Sequence, residues 1–78
     1  RLKRYKEQLV HDPHNDFILY KLGNIYRTIH LYETAISYYT RALKVNPSLA
    51  VARSNIAYCY ERLGMHDVTN NMRLKIGK

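Results

Sequence analysis

The residues around Pro13 recur, at one constant offset, around Pro47. Laying residues 1–15 on 35–49 pairs Tyr5 with Tyr39 and Leu9 with Leu43. Laying 16–33 on 50–67 pairs Leu22 with Ile56 and Tyr26 with Tyr60. A chain that repeats itself at a fixed interval is built from copies of one supersecondary unit. Each copy buries its apolar face against a neighbour, so the fold is a stack rather than a sphere.

The unit is helical. Leu2, Tyr5 and Leu9 form one stripe before the His11-Asp12-Pro13-His14-Asn15 break. Ile18, Leu19, Leu22, Ile25, Tyr26 and Ile29 form a second. Tyr32, Ala35, Ile36, Tyr39, Ala42 and Leu43 form the clearest, and Ala52, Ile56, Cys59, Tyr60 and Leu63 a fourth. These spacings of three and four belong to an α-helix, and no segment alternates with the period of two that a strand needs. The reading is five helices, over 1–11, 16–29, 32–46, 49–63 and 67–76. Asn15 or Asp16 is placed to cap the second, Ser48 the fourth and Asp67 the fifth, while Gly64 ends the fourth.

Length and charge narrow the class. Seventy-eight residues make one small domain, and a chain of this size buries only about 60% of its unfolded surface. One cysteine, Cys59, excludes an internal disulfide. It lies on an apolar stripe, where a small buried hydrophobe is expected rather than a reactive thiol. No apolar run approaches the roughly 18 residues of a membrane span, and no signal-peptide pattern is read. A reducing, cytoplasmic setting is expected. The net charge of +7 favours acidic partners. Eight tyrosines, one phenylalanine and no tryptophan suit helices packed through large rings that keep a hydroxyl for solvent or a partner.

The central unit resembles the tetratricopeptide repeat, a helix-turn-helix with a period of about 34 residues. Leu19 stands where that pattern prefers Trp. Leu22-Gly23, Tyr26, Ala35, Tyr39, Ala42 and Pro47 then follow at the family's spacings. The resemblance implies an all-α fold, an α-solenoid of antiparallel helix-turn-helix hairpins stacked with a right-handed superhelical sense, about two and a half repeats long. Within a single domain over 1–78, residues 1–15 would be the second helix of a truncated repeat, 16–49 a complete repeat, and 50–78 a repeat with a degenerate second helix. Gly23 and Ala35 would be small where two helices cross, and Ala57 takes Gly23's slot one repeat later. Two departures stand out. His30 replaces the usual turn glycine and is expected at positive φ. Thr69, Asn70 and Arg73 replace apolar residues, while Val68, Met72 and Ile76 keep a rotated stripe.

No catalytic constellation is present. The six acids are dispersed, and there is no glycine-rich phosphate loop and no nucleophile with its base. His11, Asp12 and His14 flank a proline turn without a second ligand cluster and read as solvated turn residues rather than a metal site. The expectation is a non-enzymatic chain without a cofactor. By resemblance, the first helix of each hairpin lines a concave groove. Phe17, Tyr20, Lys21, Asn24 and Arg27 of the second helix and Ser54, Asn55, Tyr58 and Arg62 of the fourth then become candidates for holding a peptide. Asparagine bonds both the N–H and the C=O of an extended backbone, and the cations attract acidic groups. Some family members clamp a terminal carboxylate. Asn24 and Asn55 fit that clamp, but Tyr20 stands where it needs lysine, so a complete clamp is not expected.

The functional expectation is a protein-interaction module or scaffold segment binding an acidic or extended peptide. Two alternatives stay open. One is a structural, self-associating segment forming a dimer or higher oligomer. The other is a helical repeat contacting nucleic-acid phosphates through its basic ends, Arg1, Lys3, Arg4 and Lys6 at one and Arg73, Lys75 and Lys78 at the other.

Overall fold

The computed structural model describes residues 1–64 and contains four helices: α1 (Leu2–His11), α2 (Asp16–Thr28), α3 (Tyr32–Val45) and α4 (Ala50–Arg62). There is no strand among the described residues. Each helix packs on the next in chain order, with α2 on α3 the most extensive pairing. The expected helix over 67–76, its Asp67 cap and the departures at Thr69, Asn70 and Arg73 lie outside the described residues.

The helix ends follow local chemistry. At the start of α2 it is Asn15, not Asp16, that caps: its side chain accepts from the Ile18 N–H. Its own Nδ2 donates to the Asp12 carboxylate at 3.1 Å, closing the turn around Pro13. The end of α2 is a Schellman turn. The Leu31 N–H bonds the Tyr26 carbonyl at 2.9 Å and the His30 N–H bonds Arg27's at 3.0 Å. His30 occupies the left-handed position, with φ of 67°, as its place in the turn required. Gly64, after α4, has φ of 79°.

Ser48 does not cap α4. The residue before the helix is Leu49, and no side chain bonds the first turn. Asn46 competes successfully for the loop. Its Oδ1 accepts from the Ser48 N–H at 3.2 Å, and its Nδ2 donates to Asp16 on α2 at 2.9 Å. Asn46 thereby ties the turn to a neighbouring helix, and the serine side chain is left out of the cap.

Leu22, Tyr26, Ala35, Tyr39 and Ala42, which carry the repeat pattern on α2 and α3, are all buried. They divide between two clusters rather than forming one. Leu22 and Ala42 pack with Leu9, Ile18 and Leu19, toward α1. Tyr26, Ala35 and Tyr39 pack with Ala52, Ile56 and Cys59, toward α4. Antiparallel helices that each have a further neighbour fill their crossing from both sides, which is how a stack replaces a single core. Gly23 makes the crossing close. A Cβ at that position would come within 2.6 Å of the Tyr39 ring.

Candidate functional site

The candidate residues fall on α2 and α4, and the links among them run through two tyrosines of α3. Tyr39 is buried, and its hydroxyl reaches two side chains of α2. It donates to Asn24 Oδ1 at 2.5 Å and accepts from Arg27 Nε at 3.3 Å. The Arg27 guanidinium then lies 5.8 Å from the centre of the Tyr58 ring on α4. Tyr58 meets the Tyr32 ring edge-on at 6.3 Å, and the Tyr32 hydroxyl neighbours Arg62. Tyr20 is half-buried, its ring 5.9 Å from that of Tyr39. Phe17 is exposed, with the Lys21 ammonium 5.2 Å from its ring centre. The structure thus ties Tyr20, Asn24, Arg27, Tyr58 and Arg62 into one network and places Phe17 and Lys21 as a pair farther along α2. Among the described residues, no hydrogen bond or ring contact joins Ser54 or Asn55 to it. Ser54 is exposed and Asn55 half-buried on α4.

The electrostatics follow from these contacts. The hydrogen bond to Tyr39 holds the Arg27 proton more firmly than usual, and the Tyr32 hydroxyl does the same for Arg62. Burial pushes the Tyr39 hydroxyl up to about 12, with Arg27 opposing. Burial also raises the Cys59 thiol, which is free and enclosed as its place on the stripe suggested. Such a thiol is a poor nucleophile. The arrangement therefore supplies fixed cations, amide groups and rings.

Sequence reasoning placed Tyr39 and Tyr32 in the apolar stripe of α3 and did not name the partners of their hydroxyls. The available signal was tyrosine where phenylalanine would fill the same space, since a buried phenol needs a partner for its hydroxyl. Asn24 also differs from expectation in detail. Its Oδ1 already accepts from Tyr39, so it has its two amide N–H groups and one remaining acceptor position to offer.

Other clusters resolve differently. Lys6 of the basic first helix lies 5.7 Å over the Tyr26 ring, Tyr26 stacks on Tyr38 at 5.4 Å, and Arg41 covers Tyr38 at 5.4 Å. Asp12 is engaged by Asn15, and no group of three or more His, Cys, Asp or Glu among the described residues could hold a metal ion. None of the described helices is long and apolar enough to cross a membrane.

Residues 17–49 match the tetratricopeptide repeat family. No curated protein matches the chain. Tetratricopeptide repeats are typically non-catalytic modules of protein interaction or scaffolding. A buried Tyr39 under Gly23, alanines at 35 and 42, and a helical hairpin that ends at Pro47 are what the match requires of the structure: residues 17–49 are a tetratricopeptide repeat.

Proposed function

We propose that this chain is an interaction module whose α2–α4 face holds an extended acidic peptide. In this reading α2 and α3 are the complete hairpin, α1 the second helix of the unit before it and α4 the first helix of the unit after. One observation carries the reading. Arg27 is held from two sides, by the Tyr39 hydroxyl at 3.3 Å and by the Tyr58 ring at 5.8 Å. A cation immobilised beforehand loses less entropy when it pairs with a carboxylate. Exposed Phe17 and Tyr58 add apolar contact, Asn24, Ser54 and Asn55 add backbone recognition, and Lys21 and Arg62 extend the positive field. The free thiol of Cys59 suits a reducing compartment such as the cytoplasm.

The test is a titration of the chain with labelled acidic peptides, read by fluorescence anisotropy. Arg27→Ala and Asn55→Ala should each weaken binding by about 1–3 kcal/mol. Arg53→Ala should do little, because that side chain is spent on the Pro47 carbonyl. Equal losses from all three would move the site elsewhere. Oligonucleotide binding with a steep salt slope, indifferent to Arg27 and Asn55, would favour the basic ends instead. A mass that grows with concentration and no peptide binding would favour a self-associating scaffold segment.

A further inference from the structure

We propose that the groove between the Pro13 turn and the last turns of α3 receives one aromatic side chain of an acidic partner peptide. The groove has a volume of about 190 Å³ and is lined by Pro13, His14, Leu19, Arg41, Lys44 and Val45. That is below the roughly 300–1,000 Å³ of small-molecule pockets, and it suits a single side chain. None of these residues belongs to the α2–α4 face, so neither reading depends on the other.

The internal repeat identifies the shape of the occupant. Leu19 stands where the repeat pattern prefers tryptophan. Moved on by one repeat, Leu19 becomes Arg53 and Pro13 becomes Pro47. There the longer side chain reaches the turn, and the Arg53 guanidinium donates to the Pro47 carbonyl. Leucine is shorter than either arginine or tryptophan, and the space between Leu19, Pro13 and Val45 stays open. The opening therefore follows from residue 19 and lies wholly within residues 13–45. Its shape is that of the ring which the pattern would place there.

Charge identifies the rest of its chemistry. Arg41 and Lys44 are exposed at the rim, and the lining includes no acid. Arg41 is steadied by the Tyr38 ring, whose centre lies 5.4 Å from its guanidinium, and a group ordered beforehand loses less on binding. The acids nearest along the chain, Asp12 and Asp16, are each hydrogen-bonded to an asparagine. Carboxylates on either side of the aromatic residue therefore meet two cations. The net charge of +7 opposes a second copy of this chain as the occupant.

The probe is the peptide acetyl-Glu-Glu-Trp-Glu-Glu-amide, titrated calorimetrically into the intact chain. The chain has no tryptophan, so the emission of the probe reports burial of its own ring. Saturable binding with blue-shifted emission is expected, and the same peptide with alanine for tryptophan should bind roughly tenfold or more weakly. Leu19→Trp fills the groove from within. It should keep or raise the melting temperature and reduce the affinity for the probe roughly tenfold or more. Lys44→Glu, at an exposed position, should also weaken binding, while Arg27→Ala should leave it unchanged. The proposal is overturned by the absence of saturable binding, by binding that ignores Leu19→Trp and Lys44→Glu, or by a lowered melting temperature in Leu19→Trp. Loss of probe binding in Arg27→Ala would overturn it by assigning the peptide to the α2–α4 face. Self-association in light scattering that Leu19→Trp abolishes would overturn it by giving the groove to a second copy.

Discussion

At the scale of single residues, Tyr39 joins stability to the candidate site. Its ring fills the space that Gly23 leaves, and its hydroxyl fixes Asn24 and Arg27. Tyr39→Phe keeps the ring and removes both bonds. Asn24 is half-buried and can recover water, so the expected loss is near the lower end for an unpaired polar group, about 1 kcal/mol, measured by urea denaturation. Alkaline stability gives an independent check. The folded hydroxyl titrates at about 12 against an ordinary 10.0, so the fold favours the neutral phenol. That contribution is intact below the lower value and is lost as pH rises toward the upper one. The wild-type chain should lose stability across this window more steeply than Tyr39→Phe, and equal slopes would assign the shift to another group. Gly23→Ala sets two effects against each other. Alanine gains about 1 kcal/mol of helix propensity, but its Cβ meets a fully buried ring at 2.6 Å. Overpacking costs about 1–3 kcal/mol, and the ring is tethered by its hydroxyl. A net destabilisation of about 1 kcal/mol is expected; a raised melting temperature would contradict the close crossing.

Among the elements, the α2–α3 hairpin was the most legible and the entry to α4 the least. The stripes over Ile18–Ile29 and Tyr32–Leu43 placed two helices, and the observed ends lie within a residue of those expected. The fourth helix was placed equally well, but its cap was not, because the choice between Ser48 and Asn46 rests on Asp16 standing across the loop. No local rule contains that residue. His30 could be read correctly because the resemblance puts a turn glycine at that position, and the Schellman turn found there demands a left-handed residue whatever surrounds it. It also offers a test. Relieving a non-glycine residue of the left-handed region returns roughly 1–2 kcal/mol, while glycine's extra freedom in the unfolded chain costs roughly 0.4–1 kcal/mol. His30→Gly also gives up the exposed bond between His30 Nδ1 and the Tyr32 hydroxyl. The balance of these terms is a gain of about 0.5 kcal/mol, to be read by urea denaturation. A loss would mean that the His30–Tyr32 contact outweighs the backbone.

Over the whole molecule, thirteen Lys and Arg face six Asp and Glu, and tyrosine rings take up part of the work that acids would do. Lys6, Arg27 and Arg41 each lie over a tyrosine ring, at 5.7, 5.8 and 5.4 Å from its centre. Such contacts contribute about 0.5–1 kcal/mol at exposed sites. Rings do not cancel the net charge, so the folded chain repels itself. Screening shortens to roughly 3 Å at 1 M salt, and the melting temperature should therefore rise from about 0.01 M to about 0.5 M sodium chloride, on the order of a few degrees. A fall would show that attraction between opposite charges dominates. The repeat interval and the helical period were both determined by the order of the amino acids. Each is a rule about positions one helical turn or one repeat apart along the chain, and the small residue at 23 came with the resemblance that this repeat carries. The division of the core into two clusters, the loop taken by Asn46 and the use of Tyr39 as both packing and polar anchor were decided only by tertiary structure. Each depends on which side chain from another helix arrives within hydrogen-bond or van der Waals reach, and that distance is set by how α1, α2, α3 and α4 lie against one another.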